Sequence, residues 1–135
     1  MQLRTSCVGT GGACRCSTPP PACLQVGLAL YRSEAQANGG KPDAGHRLLS
    51  WARAAGFSDI TATSSTWWYA TEEQRAWWGG MWADRIASSA LAQQLLTSGA
   101  ASKDDLTRVA GGWRRWAEAD DGWLSVLHGE LLCRP

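Results

Sequence analysis

The chain has 135 residues and a formal net charge of +1, from 13 basic and 12 acidic side chains. This length suits one domain with a buried core. The balanced charge lacks the basic stripe that binds nucleic acid or an anionic membrane. No apolar run approaches the roughly 18 residues of a membrane span, and no signal region follows Met1. We therefore expect a cytoplasmic protein that binds neither nucleic acid nor membranes.

Composition divides the chain near residue 24. Residues 1–23 contain four of the five cysteines and three consecutive prolines, and no helical or strand period runs through them. We interpret residues 1–23 as an irregular segment, with its status as genuine coding sequence left open. Residues 24–135 are the coherent part.

The spacing of the N-terminal cysteines departs from that of structural zinc sites. Six, one and six residues separate them, whereas zinc ligands usually come in pairs two to four residues apart. Zinc binding therefore ranks below free thiols, and we predict no metal site. The cysteines concerned are Cys7, Cys14, Cys16 and Cys23.

The first two elements predicted in residues 24–135 are helices. Apolar side chains recur at helical spacing from Leu24 to Tyr31, and Asn38, Gly39 and Gly40 form a helix stop. A second helix is predicted to open at Pro42 and Asp43 and to close at Gly56. Its apolar face comprises Leu48, Leu49, Ala52 and Ala55.

A strand and three helical segments follow. Residues 59–69 are rich in β-branched and aromatic side chains, which favours a strand. Thr71 and Gln74 form a capping box that begins a helix, and Gly79 and Gly80 are predicted to bend or break it. Helical periodicity then continues to Gly99. A second cap at residues 102–105 opens a helix, and residues 123–133 have the composition of a strand.

Two strands do not make a stable sheet alone. The strands at residues 59–69 and 123–133 are both apolar enough to need burial. We therefore predict that their neighbouring strands come from polypeptide outside this sequence. On this interpretation, both strands lie at the edge of a larger sheet.

Several motifs together resemble class I SAM-dependent methyltransferases. The run from LYR at residues 30–32 to ANGGKPD at 37–43, and LLSWARAAGFSDI at 48–60, resemble a helix and strand late in that fold. ATEEQRAWWGGMWADR at 70–85 resembles the helical insertion of a subgroup near the quinone-biosynthesis type. GWRRW at 112–116 and the closing DGW and HGELLCR resemble the final helix and strand. The resemblance covers roughly residues 28–135.

This resemblance implies a fold and an activity. The fold is α/β, a mostly helical C-terminal part of a Rossmann-like methyltransferase, with two antiparallel edge strands and a helical insertion. The activity is SAM-dependent methylation of a small-molecule acceptor. Family members hold SAM at their first strand and the glycine-rich turn after it, which have no counterpart here. The glycine cluster at residues 9–12 lacks a strand before it and a helix after it.

The cofactor of the family is therefore not expected to bind this chain alone. We assign no cofactor-binding residue and no catalytic residue, and we expect the isolated chain to be inactive. Two alternatives stay open. In the first, the chain is a non-catalytic binding module that forms homo-oligomers through an exposed sheet edge. In the second, it is a truncated gene product without a function.

Six aromatic residues are candidates for the acceptor site. They surround the end of the predicted strand and the capped helix after it, where ligands of open α/β sheets bind. Trp67 and Trp68 are adjacent, so on a strand they point to opposite faces. For any single ring, a place in the core is favoured over a place in a pocket. The candidates are Trp67, Trp68, Tyr69, Trp77, Trp78 and Trp82.

His128 and Glu130 lie two positions apart in the last predicted strand, and so on one face. Such a pair can act as a general base. A structural cross-strand role is the favoured interpretation. His46, the other histidine, is expected to be solvated.

Overall fold

The computed structural model describes residues 2–6, 22–42 and 44–134 of the chain. It is a mixed α/β structure that is mostly helical, as the sequence predicts. Within these residues, no helix has both the length and the hydrophobicity that a bilayer crossing needs. The elements are β1 Gln2–Ser6, α1 Ala22–Ala37, a 3-10 turn Ala44–His46, α2 Leu48–Ala54, β2 Asp59–Tyr69, α3 Glu72–Ser88, α4 Ala90–Thr97, α5 Lys103–Glu118 and β3 Leu124–Arg134.

The three strands form one sheet in the order β1-β3-β2. β1 is antiparallel to β3, with Leu3 opposite Leu131. Side-chain contacts between β2 and β3 also run in opposite directions. Asp59 at the start of β2 meets Arg134 at the end of β3, and Ser65 meets Glu130.

The prediction that both strands need neighbours from outside the sequence is therefore wrong for β3. This strand is central, with partners on both sides, and one partner comes from the stretch predicted to be irregular. β1 is short and its sequence, QLRTS, has no apolar alternation. The position of β1 in the sheet depends on pairing with β3, which is distant in sequence, so the local sequence pattern did not predict this strand. Residues 1 and 7–21 of that stretch lie outside the described part of the chain, and residues 22–23 belong to α1.

The chain divides into two compact units. The sheet unit comprises residues 2–6, 41–68 and 125–134, and the helical unit comprises residues 22–40 and 69–124. Each unit is built from segments that are distant in sequence. The described part therefore does not divide at a single point.

In the sheet unit, α2 packs on one face of the sheet. Leu48 and Ala52 on the buried side of α2 meet Leu131 and Cys133 of β3, and Phe57 and Ile60 pack against them. The helix begins at Leu48, later than predicted, because the 3-10 turn precedes it. It ends as predicted, with Gly56 at φ 91°.

In the helical unit, α3 passes close to α5 at Gly79. A Cβ at Gly79 would lie 2.8 Å from the Cβ of Ala117 and 2.8 Å from the carbonyl oxygen of Trp113. The predicted break at Gly79 and Gly80 is wrong, because α3 is continuous from Glu72 to Ser88. The missing side chain at Gly79 permits close packing of α3 on α5.

Both predicted capping boxes are present. The Thr71 side chain accepts from the Gln74 N–H, and the Ser102 side chain accepts from the Asp105 N–H. Hydrogen bonds from Ser102 to the Asp105 carboxylate hold its pKa below the usual 3.8, with a further contribution from Arg108. These caps satisfy N–H groups that have no partner inside the helix.

Gly79→Ala and Gly80→Ala test the close approach of α3 to α5. Gly79→Ala should destabilise the protein by about 1–3 kcal/mol, because its methyl group meets backbone that cannot easily move. Gly80 has open space around its Cβ position, so Gly80→Ala should stabilise by up to about 1 kcal/mol through helix propensity. Urea unfolding followed by circular dichroism measures both. Equal effects of the two substitutions would contradict the packing described here.

Candidate functional site

Seven aromatic rings form a continuous cluster in the helical unit. The ring of Tyr69 stacks on Trp78 with centroids 4.2 Å apart, and Trp78 contacts Trp82 at 6.1 Å. Trp82 then stacks on Trp113 of α5 at 5.9 Å. The cluster consists of Tyr31, Tyr69, Trp77, Trp78, Trp82, Trp113 and Trp116.

The cluster is open to solvent at one end and buried at the other. Trp77 is 62% exposed and lies 6.1 Å from Tyr69, nearly parallel to it. Trp113 and Trp116 are each 4% exposed. Burial raises the pKa of the Tyr69 phenol above its usual value of 10.0. The accessible surface for a ligand is therefore at Trp77, where the strand β2 gives way to α3.

The middle of the cluster contains two polar atoms without partners. The indole N–H groups of Trp78 and Trp82 are buried and make no hydrogen bond to any described residue. The guanidinium carbon of Arg85 lies 5.3 Å from the centre of the Trp82 ring, within cation–π range. Interactions among ring faces and edges thus hold this region together.

The structure brings together four of the six predicted acceptor-site residues. Tyr69, Trp77, Trp78 and Trp82 lie in the cluster, whereas Trp67 and Trp68 belong to the sheet unit. Sequence reasoning did not assign Tyr31, Trp113 or Trp116 to this group. The three-residue spacing of Trp113 and Trp116 on the apolar face of α5 was the available signal.

His128 and Glu130 share a face of β3 but make no hydrogen bond with each other. Glu130 accepts from Ser65 at 3.0 Å and from Thr63 at 3.4 Å. The two ring nitrogens of His128 are buried without a hydrogen-bond partner, and its ring lies 4.1 Å from that of Trp67. A general base oriented by Glu130 is therefore absent from this arrangement.

Between α3 and α5 lies a cleft of about 450 Å³ with a buried arginine in its wall. Arg75 is 6% exposed and donates from Nη1 to the Ala70 carbonyl and from Nε to the Ala117 carbonyl, the latter at 3.4 Å. Its guanidinium thus connects the end of β2 to the last turn of α5. The other residues that line the cleft are Glu72, Ala76, Gly80, Arg114, Ala117, Glu118 and Asp120.

Among the described residues, no glycine turn follows a strand in the way that the family's cofactor turn does. The positive-φ glycines of these residues, Gly39, Gly56 and Gly99, each follow a helix, whereas the cofactor turn of the family follows a strand. The turn from β2 to α3 contains no glycine. No group of three His, Cys, Asp or Glu side chains within residues 2–6, 22–42 and 44–134 could hold a metal ion. Cys7, Cys14 and Cys16 lie outside these residues.

Comparison with known proteins adds no family to these observations. No protein-family model, no curated protein and no solved structure matches the chain.

Arg75→Met tests whether the buried guanidinium holds the strand end. The substitution leaves the carbonyls of Ala70 and Ala117 without this donor, so stability should fall by about 2–4 kcal/mol. Arg114→Met is the matched control on the same cleft. It removes an exposed ion pair with Asp84, which is worth at most about 1 kcal/mol. Thermal unfolding of both variants gives the comparison, and a loss at Arg75 no larger than at Arg114 would contradict the bridging role.

Proposed function

We propose that this chain forms the acceptor-side part of a class I SAM-dependent methyltransferase that acts on a small molecule. In this proposal, SAM is held by elements other than these 135 residues. The described residues contribute a wall that binds and orients the methyl acceptor. Orientation of this kind is a large part of catalysis in group transfer, because the two reactants must meet in line.

The order of the elements supports the proposal. β2 and β3 are antiparallel neighbours, and the three helices α3–α5 stand between them in the sequence. The resemblance implies this combination of antiparallel closing strands and a helical insertion. The motif at residues 70–85, which resembles that insertion, occupies the first helix of the three.

The aromatic cluster at the end of β2 is the observation that carries the proposal. Ligands of open α/β sheets bind beyond the ends of strands, and Tyr69 is the last residue of β2. Its stacked contact with Trp78 and the exposed ring of Trp77 offer flat apolar surfaces to a planar acceptor. The pocket interpretation is therefore favoured for Trp77, and the core interpretation for Trp82, which packs on Trp113.

A titration with 4-nitrophenol, a planar probe, tests the acceptor wall. The nine tryptophans give nine indole N–H signals in an NMR spectrum of ¹⁵N-labelled protein. The signals of Trp77 and Trp78 should shift, and Trp77→Ala should weaken probe binding at least about fivefold through lost stacking. Trp51, which is 42% exposed and outside the cluster, is the control ring. Equal shifts at Trp51 and Trp77, or none at Trp77, would count against the wall.

Calorimetric titration with SAM tests the assignment of the cofactor to other elements. The described turns lack the glycine-rich site, so the chain alone should release no binding heat with SAM up to about 1 mM, the weak end of specific binding. SAM binding in the micromolar range would mean that the chain contains its own cofactor site. It would leave the 4-nitrophenol result unaffected, so the two parts of the proposal are tested separately.

A further inference from the structure

β2 is the outermost strand on one side of the described sheet. Among the described strands, β3 is the one neighbour of β2. Of the eleven residues from Asp59 to Tyr69, Tyr69 alone is buried. An edge strand of this kind presents N–H and C=O groups that another strand can pair with.

The sequence of β2 lacks the residues that usually protect an edge strand. Edge strands are usually protected by lysine, proline, a bulge or an inward charge. The sequence DITATSSTWWY has a single charged residue, Asp59, at its first position, and no lysine, proline or glycine. Its β-branched and aromatic side chains instead favour an extended conformation.

We infer that β2 pairs antiparallel with β2 of a second copy of this chain, with Ser64 on the two-fold axis. Ser64 is the central residue of the strand, so this register uses its whole length. It places Trp68 opposite Ile60 of the second copy, and Trp67 opposite Thr61. Aromatic residues opposite β-branched ones are favourable cross-strand pairs.

Charge favours a second copy as the occupant. In this register Asp59 lies opposite Tyr69 of the second copy, so the one charge on each strand meets no like charge. Asp59 already binds Arg134 within its own chain at 3.2 Å. A two-fold pair of β2 strands therefore brings no uncompensated charges together.

The available area indicates a weak dimer. Trp67 and Trp68 are each 54% exposed, so four indoles in a dimer can cover about 300–500 Å². Stable interfaces bury about 1,200–2,000 Å² in total. Backbone pairing and the threonine side chains add to the indole area, which gives an interface near the lower limit. Association should thus depend on concentration in the micromolar range.

Sedimentation equilibrium from about 10 to 500 µM, the range of weak interfaces, tests the dimer. The wild-type chain should shift from monomer to dimer, and Ser64→Lys should weaken association at least about tenfold, because it sets two ammonium groups opposite each other. Ser58→Lys is the control, since Ser58 is exposed and lies outside the strand. Circular dichroism shows whether each variant retains its fold.

Oxidative cross-linking of Ser64→Cys tests the register. Opposite residues of antiparallel strands have Cα atoms about 4.5–5.5 Å apart, a distance that a disulfide spans. Mass spectrometry of the digested dimer should identify a peptide joined through position 64 of both copies, and Ser58→Cys should give no corresponding peptide. The native cysteines are separated from this product by peptide mass.

Three results would overturn the inference: a wild-type monomer at every concentration, a dimer that Ser64→Lys leaves unchanged, or no peptide joined at position 64. If β2 instead pairs with a strand of a different protein, the purified wild-type chain would remain a monomer at every concentration. The inference does not depend on the proposed function, because SAM and 4-nitrophenol enter neither experiment.

Discussion

The close approach of α3 to α5 at Gly79 is the contact on which the helical unit depends. A side chain at this position would collide with Ala117 and with the backbone of Trp113. Since the helices are this close, rings on their facing sides meet, and Trp82 stacks on Trp113. The same approach brings the Arg75 guanidinium within reach of the Ala117 carbonyl. One small residue thus permits both the aromatic cluster and the buried polar bridge at the end of β2.

Features that depend on near neighbours in sequence could be predicted, and features that depend on distant ones could not. Thr71 and Ser102 cap their helices through partners three residues away, so their motifs sufficed. The close packing at Gly79 was not predicted, because it depends on α5, far along the chain. β1 gave no signal because its place depends on register with β3. Local propensity thus determined the helix ends, whereas tertiary contacts determined continuity and strand neighbours.

The candidate site shows the same division. The strand end and the capped helix after it correctly indicated that Tyr69, Trp77 and Trp78 meet. The spacing of residues within α3 did not reveal that Tyr31 packs edge-on against Trp82, since that contact joins two helices distant in sequence. Sequence therefore located the accessible part of the cluster and missed most of its buried support. A binding surface of large rings needs such support, because rings held by neighbours lose less entropy when a ligand binds.

Trp67 and Trp68 show why a run of tryptophans need not form one surface. Successive strand residues face opposite sides of a sheet, so these two rings have different surroundings. The Trp67 ring lies against the His128 ring at a tilt of 47°, and the two imidazole nitrogens have no hydrogen-bond partner among the described residues. Trp68 has no ring contact among the described residues, although it is equally exposed. An exposed indole without a ring contact at the edge of the described sheet fits the inferred association, whereas Trp77, stacked beside Tyr69, has the support that a binding surface needs.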